Sequence, residues 1–294
     1  MEYRTVKPFI KWAGGKSQLL NEIRKKYPEK IERYCEPFVG DGAVLLDVLA
    51  NFQPKEILIN DINAELMNAY TQIRDNVEFL IESLFKLQDL YWKMNENNRK
   101  AFYMEKRKRF NFGIQTDNVS KAEMAYLFIF LNKICFNGLY RVNKKGLFNV
   151  PIGSYKKPPV CDASNLRLVS SLLQNVQIIC GDYSETADFI NENTFVYIDP
   201  PYRPISATAS FTSYSSVKFG DDEQIALSKF IDRISDYGSK VVASNSDPKN
   251  LDENDNFFDT IYSDYNILRV SAKRMINSKS KGRGSINELL IFNY

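Results

Sequence analysis

Residues 33–61 constrain the fold of this chain more than any other stretch. Residues 33–38 read as a short strand running into the turn Val39-Gly40-Asp41-Gly42. Residues 43–52 follow with apolar positions at helical spacing, and 56–60 (EILIN) form a second buried strand that ends at Asp61. Strand, glycine turn, helix and strand in that order make a βαβ unit, which implies a parallel sheet. The same rhythm returns later. Residues 176–180, 194–198, 240–243, 258–262 and 288–292 read as strands, with a helix over 222–235 between two of them. From about 75 to 159 the pattern changes: 77–97 and 121–132 have helical periodicity, and the stretch between them is basic and polar. Residues 136–155, with Gly138, Gly146, Pro151 and Gly153, read as loop. The expected architecture is α/β, with one sheet domain split over 1–74 and 160–294 and a mainly helical insert at 75–159.

The chemistry is bounded by a missing residue type. The chain has no histidine, which removes histidine-based triads, H-E-x-x-H zinc sites and imidazole proton shuttles together. Catalysis must use carboxylates, amides, tyrosines, lysines or a cofactor. Cys35, Cys135, Cys161 and Cys180 are scattered without a CxxC pair, so they read as reduced, mostly buried thiols of a cytoplasmic protein. No stretch approaches the roughly 18 apolar residues of a membrane span. The start MEYRTVKPFIKW lacks the pattern of a signal peptide. A net charge of +3 says little, but its distribution says more. Residues 99–109 carry six bases against one acid, 141–157 five bases and no acid, and 269–283 six bases and no acid. Such runs can be solvated faces. Three of them with aromatics nearby tilt the reading toward a phosphate footprint.

Two places carry ligand chemistry. In Glu36-Pro37-Phe38-Val39-Gly40-Asp41-Gly42, glycines at the carboxyl edge of a first parallel strand let backbone approach a ligand closely. Asp61, at the end of the next strand, can accept from both hydroxyls of a ribose. The bland alternative is a glycine turn and a surface aspartate. Upstream, Trp12-Ala13-Gly14-Gly15-Lys16 opens a helical segment over 17–24 and resembles a small anion site at a helix N-terminus, though its spacing is not that of a P-loop. Trp12 could face a cationic group, although core packing is the better reading of the residue alone.

The sharper signal is Asp199-Pro200-Pro201-Tyr202, directly after the strand at 194–198. Consecutive prolines block helix and ladder alike and hold a rigid turn at the sheet edge where α/β sheets bind ligands. An aromatic amino group is a poor nucleophile because its lone pair is delocalised. Asp199 and the Pro200 carbonyl can take its two N–H bonds and localise that pair, while Tyr202 stacks on the base. A sulfonium methyl then needs only in-line positioning, and no metal. An amino group inside a duplex must first be rotated out of the stack.

Together these segments resemble the Dam-type DNA adenine N6-methyltransferases, including the modification enzymes of GATC restriction systems. The resemblance covers nearly the whole chain: KWAGGK, EPFVGDG, the acidic end of the second strand, FNGLYRVNKKGLFNVPIGSYKKP, DPPY and SATASFTSY. Their order is that of the α group of amino methyltransferases. It implies a Rossmann-like S-adenosylmethionine-dependent methyltransferase sheet with the insert as DNA target-recognition domain. It further implies that Trp12, Lys16, Asp61 and Asp199 contact S-adenosylmethionine, that Glu36, Phe38, Gly40 and Gly42 shape its pocket, and that Asp182 and Tyr183 border its adenine. Asp199, Pro200 and Tyr202 would form the catalytic turn. Asn137, Leu139 and Arg141 would probe double-stranded DNA, with Lys11 and Tyr155 beside them, and the target implied is GATC. Members often carry arginine just before the tyrosine of the G-R-Y-K segment, where this chain has Ser154. A cognate restriction endonuclease would be a system partner without a stable complex. The competing readings explain less. Cytosine-amino enzymes more often have serine in place of Asp199, cytosine-ring methylation needs a Pro-Cys that is absent, and an oxidoreductase leaves DPPY unexplained.

Overall fold

The structure is a computed structural model and describes residues 3–203, 219–273 and 285–294. The segment SATASFTSY and most of the basic run at 269–283 lie outside the described residues. In chain order the elements are α1 (Leu20–Arg24), β1 (Arg33–Glu36), α2 (Ala43–Phe52), β2 (Glu56–Asn60), α3 (Ala64–Lys93), α4 (Glu96–Thr116) and α5 (Lys121–Ile134). Then follow α6 (Ala163–Leu173), β3 (Val176–Ile179), β4 (Thr194–Ile198), α7 (Asp221–Asp236), β5 (Lys240–Ser246), α8 (Phe257–Ile261), β6 (Asn266–Lys273) and β7 (Ser285–Phe292).

The strands form one seven-stranded sheet in the order β3-β2-β1-β4-β5-β7-β6. β1 to β5 pair in parallel, and β7 runs antiparallel between β5 and β6. This is the mixed α/β sheet that the alternating strands and helices imply, and its Rossmann-like form agrees with the fold expected from the resemblance. Strand order reverses between β1 and β4, and the crevice beyond their carboxyl ends is the usual ligand site of such sheets. β4 is buried at all five positions, as a strand covered on both faces must be. Phe195 and Tyr197 enter one core, while Val196 and Ile198 enter the other, as the two-residue period requires.

The segment expected to be an insert begins within a single long helix. α3 spans 30 residues with a break in helical geometry at Asn76 (φ −138°, ψ 36°). Its first part buries Leu66, Ala69, Tyr70 and Ile73, and its second part buries Leu80, Leu84 and Leu87 in the packing with α5. The break at Asn76 lies inside α3, next to the boundary expected at 74/75. α5 is nearly all core, capped by Ser120, whose hydroxyl accepts from the Glu123 amide at 3.1 Å.

Several sequence expectations need correction. The basic stretch after residue 97 is the 21-residue helix α4, which buries only Tyr103, Phe110 and Gly113. So thin a buried line leaves little periodic signal, although Glu, Lys, Arg and Met are good helix formers. α6 was not expected either. Residues 258–262 are not a strand but lie largely in α8, where Phe258 and Tyr262, four apart, bury on one face with their rings stacked at 6.4 Å. The strand in this region is β6, an edge strand in which Val270 is the buried apolar residue, too sparse a pattern to read. The stretch at 136–155 is more ordered than a plain loop, folding back through the bridges Cys135–Ile152 and Val142–Phe148. Cys35, Cys135 and Cys161 are buried free thiols and Cys180 an exposed one. Among the described residues no helix is long and apolar enough to cross a membrane.

Candidate active site

The carboxyl ends of β1 and β4 bring together residues from the two ends of the chain. After β1 the backbone turns through Gly40 (φ 49°) and Gly42 (φ 72°), left-handed values that favour glycine. A Cβ on Gly40 would stand 3.3 Å from the Trp12 indole nitrogen, so the glycine lets the two segments meet. The Asp61 carboxylate at the end of β2 accepts from the Gly40 amide at 3.2 Å and the Asn63 amide at 2.9 Å. The Tyr70 hydroxyl donates to the Gly40 carbonyl at 3.1 Å. Trp12 stacks on Tyr140 with centroids 5.9 Å apart, which ties the first segment to the insert. Phe38 stacks on Tyr183 at 5.2 Å, and Asp182 caps the turn that carries Tyr183.

Lys16 is the centre of the arrangement. The Gly-Gly turn sends its side chain inward, where it is 3% exposed and its ammonium sits 2.8 Å from Asp199 Oδ2. It also donates to the Gly14 carbonyl at 2.7 Å, lies 4.0 Å from Glu288 Oε2 and stands over the Tyr202 ring at 4.8 Å. The helical turn it opens is only three residues, Lys16–Gln18, and the lysine faces a carboxylate rather than an open anion site. Burial alone lowers a lysine pKa, but Asp199 and Glu288 outweigh it and hold Lys16 above its ordinary value.

Asp199 is fixed at both oxygens, since Ser244 Oγ donates to Oδ1 at 2.8 Å and Lys16 meets Oδ2. Each carboxylate oxygen has a second lone pair, so the group can still accept from a substrate. Glu288, on β7, accepts from the Tyr202 hydroxyl at 2.6 Å. Burial raises its carboxyl, with Lys16 and Tyr202 opposing. The Pro201 carbonyl accepts from Gln224 at 3.0 Å, and Arg203 spans Asp221 and Asp255 at 2.6 Å each. The turn at 199–202 is thereby held from three sides. Glu36 is buried and accepts from Tyr34 at 2.7 Å, and burial drives its carboxyl well above the carboxylate range.

Sequence reasoning missed Glu288, Ser244 and Gln224. They reach the site only through strand register and helix docking, which leave no local motif. Lys133 is pushed down to about 8 by burial and by the charge of Lys11.

Of the residues expected at DNA, Lys11 is brought against Tyr155 and Gly138, while Arg141 pairs with Asn149. Asn132 accepts from the Lys11 amide at 2.8 Å and donates to the carbonyls of Lys11 and Gly138 at 2.8 and 3.0 Å. Lys11 Nζ lies over the Tyr155 ring at 4.2 Å. Asn137 is exposed in a left-handed conformation (φ 55°). Leu139 is half-buried, and Arg141 Nε donates to Asn149 Oδ1 at 2.8 Å. One buried asparagine thus binds the base of the folded-back segment to the strip that carries Trp12 and Lys16.

Comparison with known proteins places this geometry in context. The family model described as D12 class N6 adenine-specific DNA methyltransferase matches residues 12–276. The Type II methyltransferase M.MjaIII of Methanocaldococcus jannaschii is 46% identical over 98% of this chain and 99% of its own. The Type II methyltransferase M1.LlaDCHI of Lactococcus lactis subsp. cremoris is 37% identical over 98% and 96%. A DNA adenine methylase of Escherichia coli is 32% identical over 96% and 93%.

Proposed function

The chain belongs to the D12 class of N6 adenine-specific DNA methyltransferases, and on that premise we propose that it takes methyl from S-adenosylmethionine to adenine within GATC, flipped out of the duplex into the turn at Asp199-Pro200-Pro201-Tyr202. The observation that carries this reading is the pairing of Asp199 with buried Lys16 and Ser244 at the switch point of the sheet. Asp199 accepts one N–H of the adenine amino group and the Pro200 carbonyl the other, while Tyr202 offers its ring face, its hydroxyl tied to Glu288. Two fixed acceptors stabilise the charge that grows on nitrogen during attack without reorganising.

The residues fit a methyl donor. The Gly40–Gly42 turn brings backbone close to a ligand, Asp61 stands at ribose position, and the Phe38–Tyr183 pair offers an aromatic wall beside Asp182. When bound, the donor supplies an activated methyl on a good leaving group. Trp12, Lys16 and Glu36 complete the walls, and nothing in the chemistry calls for a metal.

Residues 1–74 and 160–294 form the catalytic domain in this reading, and 75–159 the target-recognition domain, with Lys11, Asn137, Leu139, Arg141 and Tyr155 facing double-stranded DNA. The enzyme works in the cytoplasm beside a cognate restriction endonuclease, without a stable complex between them. The names of its Type II relatives support that setting.

The test is transfer of labelled methyl to duplexes bearing GATC, with single-base variants and a pre-methylated adenine as controls. Label is expected only where an unmethylated GATC adenine is present. Label on other adenine sites would move the specificity, and absence of label on every duplex would overturn the reading. Arg141→Ala is expected to cost about 1–3 kcal/mol of discrimination against one-base variants, with donor KM unchanged. Asn149→Ala should give a smaller loss of the same kind, because Asn149 orients Arg141. Equal site preference in Arg141→Ala and the parent enzyme would remove Arg141 from recognition.

A further inference from the structure

We propose that Asp41 is the acceptor for a primary ammonium, that of the aminoacyl end of the methyl donor. The proposal rests on the donor reading above and adds to it a residue that the methyltransferase motifs do not assign.

Position comes first. Asp41 lies between the two left-handed glycines of the turn from β1 to α2, at the crevice where the strand order reverses. Its Oδ2 occupies the space that a Cβ on Gly15 would take, so the carboxylate lies against the Gly14-Gly15 turn, one residue from Lys16. Glycine at position 15 is what admits it.

The second observation is an imbalance in pairing. Asp41 is 9% exposed, yet among the described residues the Ala43 amide is its hydrogen-bond donor, to Oδ1 at 3.2 Å, and no side chain donates to it. Among the described residues Asp61 likewise accepts only from backbone amides, but Glu36 and the carboxylates nearest Lys16 have side-chain donors. Glu36 accepts from Tyr34, Glu288 from Tyr202, and Asp199 from both Ser244 and Lys16. Lys16 is the near cation, but Asp199 and the Gly14 carbonyl already take it at 2.8 and 2.7 Å. Oδ2 is the oxygen left over on a largely enclosed carboxylate, placed to accept from a donor that enters the crevice. Asp199 and Glu288 already share Lys16, and Asp41 feels the same lysine without pairing to it, so the arriving group should be cationic.

Helix capping accounts for one oxygen only. The Ala43 amide opens α2 and satisfies Oδ1 in the ordinary way, while Oδ2 points instead at the Gly14-Gly15 turn. The ionisation behaviour agrees. Burial pushes the Asp41 carboxyl up to about 6, with Asp199 adding to the rise and Lys16 and the Ala43 amide opposing it. Glu36 and Tyr70 are the remaining titratable groups coupled to it. An ammonium bound to Asp41 needs the ionised carboxylate, so the contribution is present above that pKa and lost as pH falls through it.

The experiment is direct calorimetric binding of S-adenosylhomocysteine and of its desamino analogue, which lacks only the ammonium, to the full-length parent enzyme, Asp41→Asn and Asp41→Ser. Both variants keep a cap acceptor for Ala43. The parent is expected to prefer the ammonium-bearing ligand by roughly tenfold or more, the usual weight of a hydrogen bond to a charged group. That preference should fall to near unity in Asp41→Asn, and in the parent it should shrink as pH drops from 7.5 to 5. The pH arm needs no variant, so a variant that folds poorly does not remove the test. An equal preference in parent and Asp41→Asn, or one that does not change with pH, overturns the role of Asp41 and leaves the donor reading standing. Failure of the parent to bind either ligand overturns the donor reading and this proposal with it.

Discussion

Asp199→Ala is expected to abolish methyl transfer, with a fall in kcat of at least about 10²–10³, the usual loss when one fixed polar partner of a transition state is removed. In the proposed role, the adenine amino group loses its charged acceptor, and the Pro200 carbonyl alone would not localise the nitrogen lone pair. A second consequence follows from burial. Lys16, 3% exposed, would lose the carboxylate 2.8 Å from its ammonium and keep only Glu288 at 4.0 Å and the Gly14 carbonyl, a loss of up to about 3–5 kcal/mol. Asp199→Asn should separate the two effects. It keeps an acceptor for Ser244 but not the negative charge, so activity should still be lost while part of the stability returns. Single-turnover methyl transfer and urea unfolding measure these independently. Turnover within tenfold of the parent in Asp199→Ala would remove that residue from the chemistry.

Lys16→Met should be nearly as damaging and for the complementary reason. Methionine fills similar space without charge, and leaves Asp199 and Glu288 facing each other across a buried site with no counter-ion. The expected loss is again about 3–5 kcal/mol of stability, with activity falling alongside because Asp199 is no longer held. The pair is best tested as a cycle. Lys16→Met combined with Asp199→Asn should be more stable than the sum of the single losses predicts, since the charge of the Asp199–Lys16 pair is removed on both sides and only Glu288 is left without its cation. Additive losses would show that the 2.8 Å contact contributes little, and that Lys16 acts through packing alone.

Both variants bear on how much of the site could be read without coordinates. Asp199, Pro200, Tyr202 and the turn at Glu36–Gly42 were legible because each motif is local: a strand runs straight into a turn whose residues have few other uses. Asp61 was legible by its place at the end of the next strand. Lys16 was legible as a polar residue of interest but not in its role, because a flanking lysine after two glycines looks like an anion site until its side chain is seen on Asp199. Glu288 was not legible. It meets Tyr202 across 86 residues because antiparallel β7 enters the sheet next to β5.

The fold divides in the same way. The βαβ opening, the buried strand before Asp199 and the change of pattern over 75–159 were determined by the sequence alone, since hydrophobic period and glycine placement are properties of neighbours along the chain. The 21-residue helix α4, the helix at Phe257–Ile261 in place of a strand, and the edge strand β6 were decided by tertiary packing. Each buries so little, or so irregularly, that its form depends on what lies against it. The counter-ion of Asp199 and the anchor of Tyr202 were decided at that level too, because Coulombic and hydrogen-bond contacts depend on distance in space, which residue order does not carry.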